Sequence, residues 1–293
     1  MPCKDLYFRL LVHKNVNASL RGGGNVSIIE GSLLDGKALN DFVVPGCIVV
    51  NLAYLHDGSL EDNLVSIDNL TETCRRAKIK RLIHCSTAVV SGRTSNNIVT
   101  ENTSGKLLHE YEIIKNNIEK NILKKSDGSF EVVILRPTAI FGKDGRNLLK
   151  LADSLRCGNR FLNYIKSCTH QFRRMNLVYI ENVTAAIEYL IRADRFINSE
   201  IFIISDDEDP ANNYRDIEKY LMARMGCKPY RGAPISLPFP ILKTMLRLTG
   251  RSNDNPNLLY DCGKLKSYGF EKPVSFKEGL SRFSDWYIKT HLS

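Results

Sequence analysis

Apolar positions in the first half of the chain come in short unbroken runs, separated by stretches with helical spacing. Residues 6–12 and 26–29 read as strands, and 47–53 (CIVVNLA) as a strand buried on both faces. Leu60, Leu64, Ile67 and Leu70 recur at spacings of three and four, which predicts a helix over about 59–77. A strand follows at 81–85, then a polar loop over 92–105, a helix over about 107–124 and a strand at 130–135. Continuous apolar strands alternating with helices predict a parallel sheet covered on both faces, with right-handed crossovers. The second half is less regular. Residues 146–155, 183–193 and 214–225 have helical spacing, and 177–180 and 201–204 read as strands. Four prolines in 229–240 predict an extended or turned segment.

Composition narrows the class. Of 293 residues 43% are hydrophobic, enough for a substantial core. No run approaches the roughly 18 apolar residues of a membrane span. The start, MPCKDLYFRL, has no uninterrupted apolar segment of the signal-peptide kind. A soluble cytoplasmic protein without membrane contact is expected. The eight cysteines are scattered without a CxxC pair, as suits reduced thiols. Six histidines never fall at metal-ligand spacing, so no metal is expected. The net charge of +9 attracts anions, but no nucleic-acid motif accompanies it and no nucleic-acid partner is expected. The densest basic run, Arg75, Arg76, Lys78, Lys80 and Arg81, reads as the solvated end of a helix.

Tyr111 and Lys115 lie four apart on a predicted helix and so share a face. An ammonium beside a phenol favours the phenolate, which makes a usable general acid/base. Thr87 and Ser86 follow the strand RLIHC and can supply a hydroxyl to hold a substrate oxygen. The same YxxxK spacing occurs at Tyr260/Lys264 and Tyr268/Lys272, but each spans a glycine and neither reads as a stable helix face.

The segments VVNLAY, NLVSIDNLTETCRRAKIKRLIHCSTAVVSG, YEIIKNNIE, VVILRPTAIFG, LVYIENVTAAI and IFIISDDE follow one another in the chain. This ordered set closely resembles the extended short-chain dehydrogenase/reductase superfamily, in particular its NAD-dependent epimerase/dehydratase branch acting on nucleotide sugars. The resemblance spans about residues 7–290. It implies a Rossmann-like doubly wound parallel sheet with a smaller C-terminal substrate lobe. The implied division is 1–142 for the dinucleotide-binding part and 143–293 for the lobe, with 175–205 returning to the sheet. It implies Thr87, Tyr111 and Lys115 as the catalytic set, with Lys115 also holding the nicotinamide ribose. Ser32, Leu33, Ala53, Ser86, Pro137 and Thr138 would lie along NAD or NADP, and Arg173 or Arg174 would meet the substrate diphosphate. It also implies a homodimer built from the helices near 59–77 and 107–124.

One family element has no counterpart. The family opens with a strand, a GxxGxxG turn and a helix whose N-terminus holds the cofactor pyrophosphate. Here the one glycine cluster, Gly22-Gly23-Gly24, precedes a strand rather than a helix. The segments YFRLLVHKN and VSIIEGSLLD resemble the family's second and third strands, with Ser32 where the turn after the third strand has Asp. A sheet missing its first strand is therefore expected, with weakened cofactor binding. Truncation of an ordinary enzyme and a genuinely shortened protein both account for this. His13 and Lys14 at the end of the segment that resembles the second strand, in place of an acidic residue, lean to NADP. The leading reading is a nucleotide-sugar epimerase, dehydratase or 4-ketoreductase of sugar-nucleotide or surface-polysaccharide metabolism. The rival is a catalytically silent relative that binds a nucleotide or a protein.

Overall fold

A computed structural model describes residues 6–13, 25–235, 238–248 and 255–291. The chain forms two compact units. One comprises Met1–Cys85, Ile114–Ile134 and Asp194–Glu200, the other Ser86–Ile113, Leu135–Ala193 and Ile201–Ser293.

The elements follow the apolar pattern closely in the first half. They are β1 (Phe8–Val12), β2 (Val26–Glu30), α1 (Gly36–Phe42), β3 (Ile48–Asn51), α2 (Leu60–Arg76) and β4 (Arg81–Cys85). The short β5 (Ile98–Val99), α3 (Glu110–Lys124) and β6 (Glu131–Pro137) come next. Helix α2 starts where its sequence dictates: Ser59 and Asp62 form a reciprocal capping box, and Arg75 and Arg76 close the last turn. Gly31 has a steric reason, since any side chain there would overlap Ala38 of α1.

Strands β3, β4 and β6 stand side by side in a four-stranded sheet whose fourth member is β9 (Glu200–Ile204), in the order β3-β4-β6-β9. β3 runs parallel to β4, with Ile48 opposite Arg81. β1 and β2 form a separate parallel pair, with Phe8 opposite Val26. This is the parallel α/β architecture expected from the pattern.

The remaining elements are β7 (Ala139–Phe141), α4 (Arg146–Cys157), α5 (Arg160–His170), β8 (Leu177–Tyr179) and α6 (Ile180–Arg192). After β9 come α7 (Tyr214–Arg224), α8 (Phe239–Leu248), β10 (Leu259–Tyr260), α9 (Gly263–Ser267) and α10 (Phe276–His291). In the second unit Phe141, Leu148, Leu177, Ile217, Phe276 and Phe283 build one core cluster. No element is expected over 160–170 from the sequence, although Phe161, Leu162, Ile165 and Cys168 fall at helical spacing. The segment becomes a helix because Asn159 accepts the Phe161 and Leu162 N–H groups, and Asn163 exchanges two hydrogen bonds with Ser154 of α4. Among the described residues no helix is long and apolar enough to cross a membrane.

The basic run at the end of α2 does not behave as one solvated patch. Arg75 pairs with Glu72 and Asp127 at the surface. Arg81, the first residue of β4, is fully buried. Its guanidinium donates to Glu131 at 2.9–3.3 Å and to the Arg195 carbonyl at 3.2 Å. Glu131 also accepts the Ile197 N–H at 2.8 Å. The strand ladder draws Arg81 into the interior, so its charge needs a partner there. Glu131→Ala should therefore cost about 3–5 kcal/mol, since it strands a buried guanidinium. The exposed Arg192–Glu188 pair provides the contrast, and Glu188→Ala should cost about 1 kcal/mol or less. Urea unfolding of both variants checks this; equal losses would contradict it.

Candidate active site

The chemistry-bearing residues of the second unit sit just past strand ends. The Ser86 N–H donates to the Leu135 carbonyl at 2.8 Å, which fixes the backbone leaving β4. Thr87 then opens a tight 3-10 turn, Ala88–Ser91. Gly92 ends that turn at φ +67°, with the Gly105 and Lys106 backbone 2.9 Å from where a side chain would start. Only glycine meets both demands. The antiparallel bridge between Arg93 and Lys106 returns the chain to the start of α3.

A cavity of about 570 Å³ opens there. Ser86, Thr87, Tyr111, Pro137 and Thr138 all line it, with Val89, His109, Glu112, Ala139, Ile140 and Asn147 completing the wall. Tyr111 is 40% exposed, and a ligand in the cavity can reach its ring. The Ser86 hydroxyl is buried and has no partner among the described residues. Glu112 is the residue that sequence reasoning missed. It is almost wholly buried, and Oε2 accepts the Leu108 and His109 N–H groups at 2.9 and 3.3 Å. Its other oxygen has no hydrogen-bond partner among the described residues. An acidic residue in a first helical turn is the only sequence signal it carries.

Lys115 belongs to the first unit, four residues beyond Tyr111 on the same helix. It is buried, and burial holds its ammonium below the ordinary lysine pKa. Its Nζ lies 5.0 Å from the centre of the Tyr54 ring, a cation–π contact. Beside it, His84 of β4 is completely buried. Asn51 of β3 accepts the Ala53 N–H through Oδ1, so its amide NH₂ faces His84 Nδ1 at 3.1 Å. That orientation makes Nδ1 the acceptor and puts the imidazole proton on Nε2. Burial, then the Lys115 charge, pushes the His84 pKa down to about 3.

A second cavity, of about 700 Å³, lies within the first unit between the β1 and β3 strand ends. Ser32, Leu33 and Ala53 all line it, as does His13. Lys14 and Gly22–Gly24 lie outside the described residues. Helices α1 and α2 begin in this unit with carboxylates at their own N-termini: Asp35 accepts the Lys37 and Ala38 N–H groups, and Asp62 belongs to the α2 capping box. Neither end is open to a pyrophosphate.

Arg173 and Arg174 line neither cavity. The Arg174 guanidinium donates to the carbonyls of Asp209 and Pro210 at 2.9 and 3.3 Å. The other YxxxK lysines are engaged elsewhere. Lys264 donates to the Ile201 carbonyl, and Lys272 pairs with Asp206 and Glu208. Next to that pair Asp207 is buried, its carboxyl pushed up to about 7 by desolvation. The Asn176 side chain and the Tyr260 N–H donate to it. Among the described residues no cluster of His, Cys, Asp or Glu is placed to hold a metal ion.

Residues 34–239 match the 3-beta hydroxysteroid dehydrogenase/isomerase family. The chain belongs to that family. The family lies within the extended short-chain dehydrogenase/reductase superfamily, as the ordered motifs imply. Solved structures share the fold. WbmG from Bordetella bronchiseptica, in complex with NAD and UDP, superposes with a TM-score of 0.73 at 18% identity over 98% of this chain and 88% of that one. A UDP-glucose 4-epimerase from Thermotoga maritima, with UDP-glucose, gives 0.69 at 18% identity over 96% and 91%. A dTDP-glucose 4,6-dehydratase from Bacillus anthracis, in complex with NAD, gives 0.67 at 15% identity over 94% and 84%.

The His84 environment gives the chain a measurable pH signature. The folded state refuses a proton that the unfolded chain accepts near pH 6.5. The resulting stability is fully present above pH 6.5 and is lost as pH falls toward 3. At pH 5 the loss should reach about 2 kcal/mol relative to pH 7. Denaturant titrations of wild type and His84→Phe across pH 5–7 check this; the variant should show a shallower pH dependence by about that amount.

Proposed function

We propose that the protein is an NAD(P)-dependent oxidoreductase or epimerase/dehydratase acting on a nucleotide sugar. The observation that carries this reading is a single cavity lined by Thr87 and Tyr111 together with Ser86, Thr138, Glu112 and Asn147. The exposed lining is mostly apolar, with the hydroxyls of Ser86, Thr87, Tyr111 and Thr138 and the Asn147 amide set among it, so the choice of a sugar over a steroid is carried by the structural neighbours. The UDP and UDP-glucose bound by its structural neighbours, one of them a UDP-glucose 4-epimerase, support that choice.

In this reading the Tyr111 hydroxyl moves the proton at the reacting substrate oxygen. Thr87 donates a hydrogen bond to the same oxygen and orients it. Lys115, on the same helix, favours the phenolate form of Tyr111. Ser86, Pro137 and Thr138 flank the nicotinamide, and Ser32, Leu33 and Ala53 lie along the adenosine half. Bound nicotinamide supplies the hydride chemistry. Each unit offers residues that fit part of it: in the first, the buried Lys115 ammonium and a roomy cavity lined by Ser32, Leu33 and Ala53; in the second, a buried Ser86 hydroxyl without a hydrogen-bond partner among the described residues. The pyrophosphate finds no open helix N-terminus among α1, α2 and the start of α3, because Asp35, Asp62 and Glu112 already occupy them. His13, in place of an acidic residue, favours NADP over NAD. Arg173 and Arg174 remain the candidates for the substrate diphosphate.

Two measurements test this. Calorimetric titration should give dissociation constants weaker than micromolar for both NAD and NADP, because charged hydrogen bonds worth about 1.5–3 kcal/mol each are missing. Micromolar or tighter binding would contradict that. At saturating cofactor, Tyr111→Phe should lower kcat on UDP- or dTDP-sugars by about 10²–10⁴-fold with KM little changed. Tyr268→Phe should retain near-wild-type kcat. Comparable turnover by wild type and Tyr111→Phe would overturn the assignment of the site, and turnover confined to steroid substrates would overturn the substrate class.

A further inference from the structure

Helix α8 is used by none of this chemistry. Ile241, Met245 and Leu248 are 50%, 38% and 82% exposed. Their i, i+4, i+7 spacing sets them in one stripe along the helix. Leu242, by contrast, is buried and anchors the helix on its inner side. Lys243 and Arg247, also four apart, are exposed, and the helix contains no acidic residue. Ile235, just upstream, is 73% exposed. The charge bias extends beyond the helix. Between Cys227 and Arg251 the sequence has Lys228, Arg231, Lys243, Arg247 and Arg251 and no Asp or Glu.

An exposed apolar stripe marks an interaction surface when it is contiguous. Its flanking charge here is of one sign, which selects a polyanionic partner with an apolar interior. At ten residues the helix is about 15 Å long, half the thickness of a bilayer core, so it can lie on a membrane but not cross it. We propose that α8 is an interfacial helix that docks the protein on an anionic lipid surface. Ile241, Met245 and Leu248 enter the boundary between headgroups and acyl chains, and Lys243 and Arg247 meet the headgroup phosphates. The absence of an apolar run of membrane-spanning length does not bear on a helix lying in the interface.

The test uses the full chain and sedimentation with vesicles of phosphatidylcholine alone or with a third phosphatidylglycerol. Wild type should co-sediment with the anionic vesicles and not with the neutral ones. The triple variant Ile241→Ser/Met245→Ser/Leu248→Ser should bind at least about tenfold less, with an unchanged thermal midpoint because the side chains are exposed. Lys243→Gln/Arg247→Gln should lose roughly fivefold per charge, and raised salt should act in the same direction. These last two arms decide the matter if the triple variant fails to fold. Absence of binding to anionic vesicles, equal binding to neutral ones, or unchanged binding by a folded triple variant would overturn the proposal. So would a triple variant whose only change is a halved mass in sedimentation equilibrium, since that would make the stripe a contact between two copies.

Discussion

The parallel hydrogen-bonded ladder of β3, β4 and β6 is the constraint on which the candidate chemistry depends. Parallel strands deliver their C-terminal ends to one side, so the turns that follow them bring together residues far apart in sequence. In the second unit Ser86 and Thr87 follow β4 and Thr138 follows β6, and in the first unit Ala53 follows β3. The ladder imposes a demand in return. A strand buried on both faces cannot send a polar side chain to water, so each polar group it carries needs an internal partner. Glu131 answers Arg81, and Asn51 answers Nδ1 of His84, whose Nε2 has no hydrogen-bond partner among the described residues.

Charge in this protein is handled by local pairing rather than by broad solvation. The buried carboxyl of Asp206 is held by Lys272 and by the Tyr179 N–H, and Asp207 is held by three donors. Lys115 is buried with its ammonium over the Tyr54 ring. Its depressed pKa follows from burial away from water. A buried ammonium of this kind belongs where a negative charge develops or binds, which is why it supports the enzymatic reading over the silent one.

Polar lining and exposed apolar surface divide the second unit between two tasks. The cavity past β4 and β6 sets several hydroxyls and one amide in a mostly apolar wall, whereas α8 turns isoleucine, methionine and leucine to solvent with two cations on the same helix. A nucleotide sugar, the proposed substrate, is water-soluble, so the proposed lipid contact of α8 would serve location rather than substrate capture.

Much was legible in the chain. The strands at 47–53, 81–85 and 130–135, the helix with Ser59 at its start and the spacing of Tyr111 and Lys115 follow from apolar periodicity and capping chemistry, which act within a few residues. Ordered motifs marked Thr87, Tyr111, Pro137 and Thr138, and the fold gathers four of them with Ser86 around one cavity. Tertiary structure decided the rest, because burial depends on neighbours distant in sequence. Arg81 reads as the end of a basic run and becomes a buried ion pair only when Glu131, fifty residues on, stands beside it. Glu112 reads as a surface acid and is buried where α3 meets its preceding loop. Residues 160–170 carry a local signal, the Asn159 cap with Phe161, Leu162 and Ile165 at helical spacing, but what ties the helix to α4 is Asn163 reaching Ser154. The Tyr268/Lys272 spacing copies that of Tyr111/Lys115, yet Lys272 is drawn to Asp206 because the desolvated carboxylate there has the stronger need for its charge.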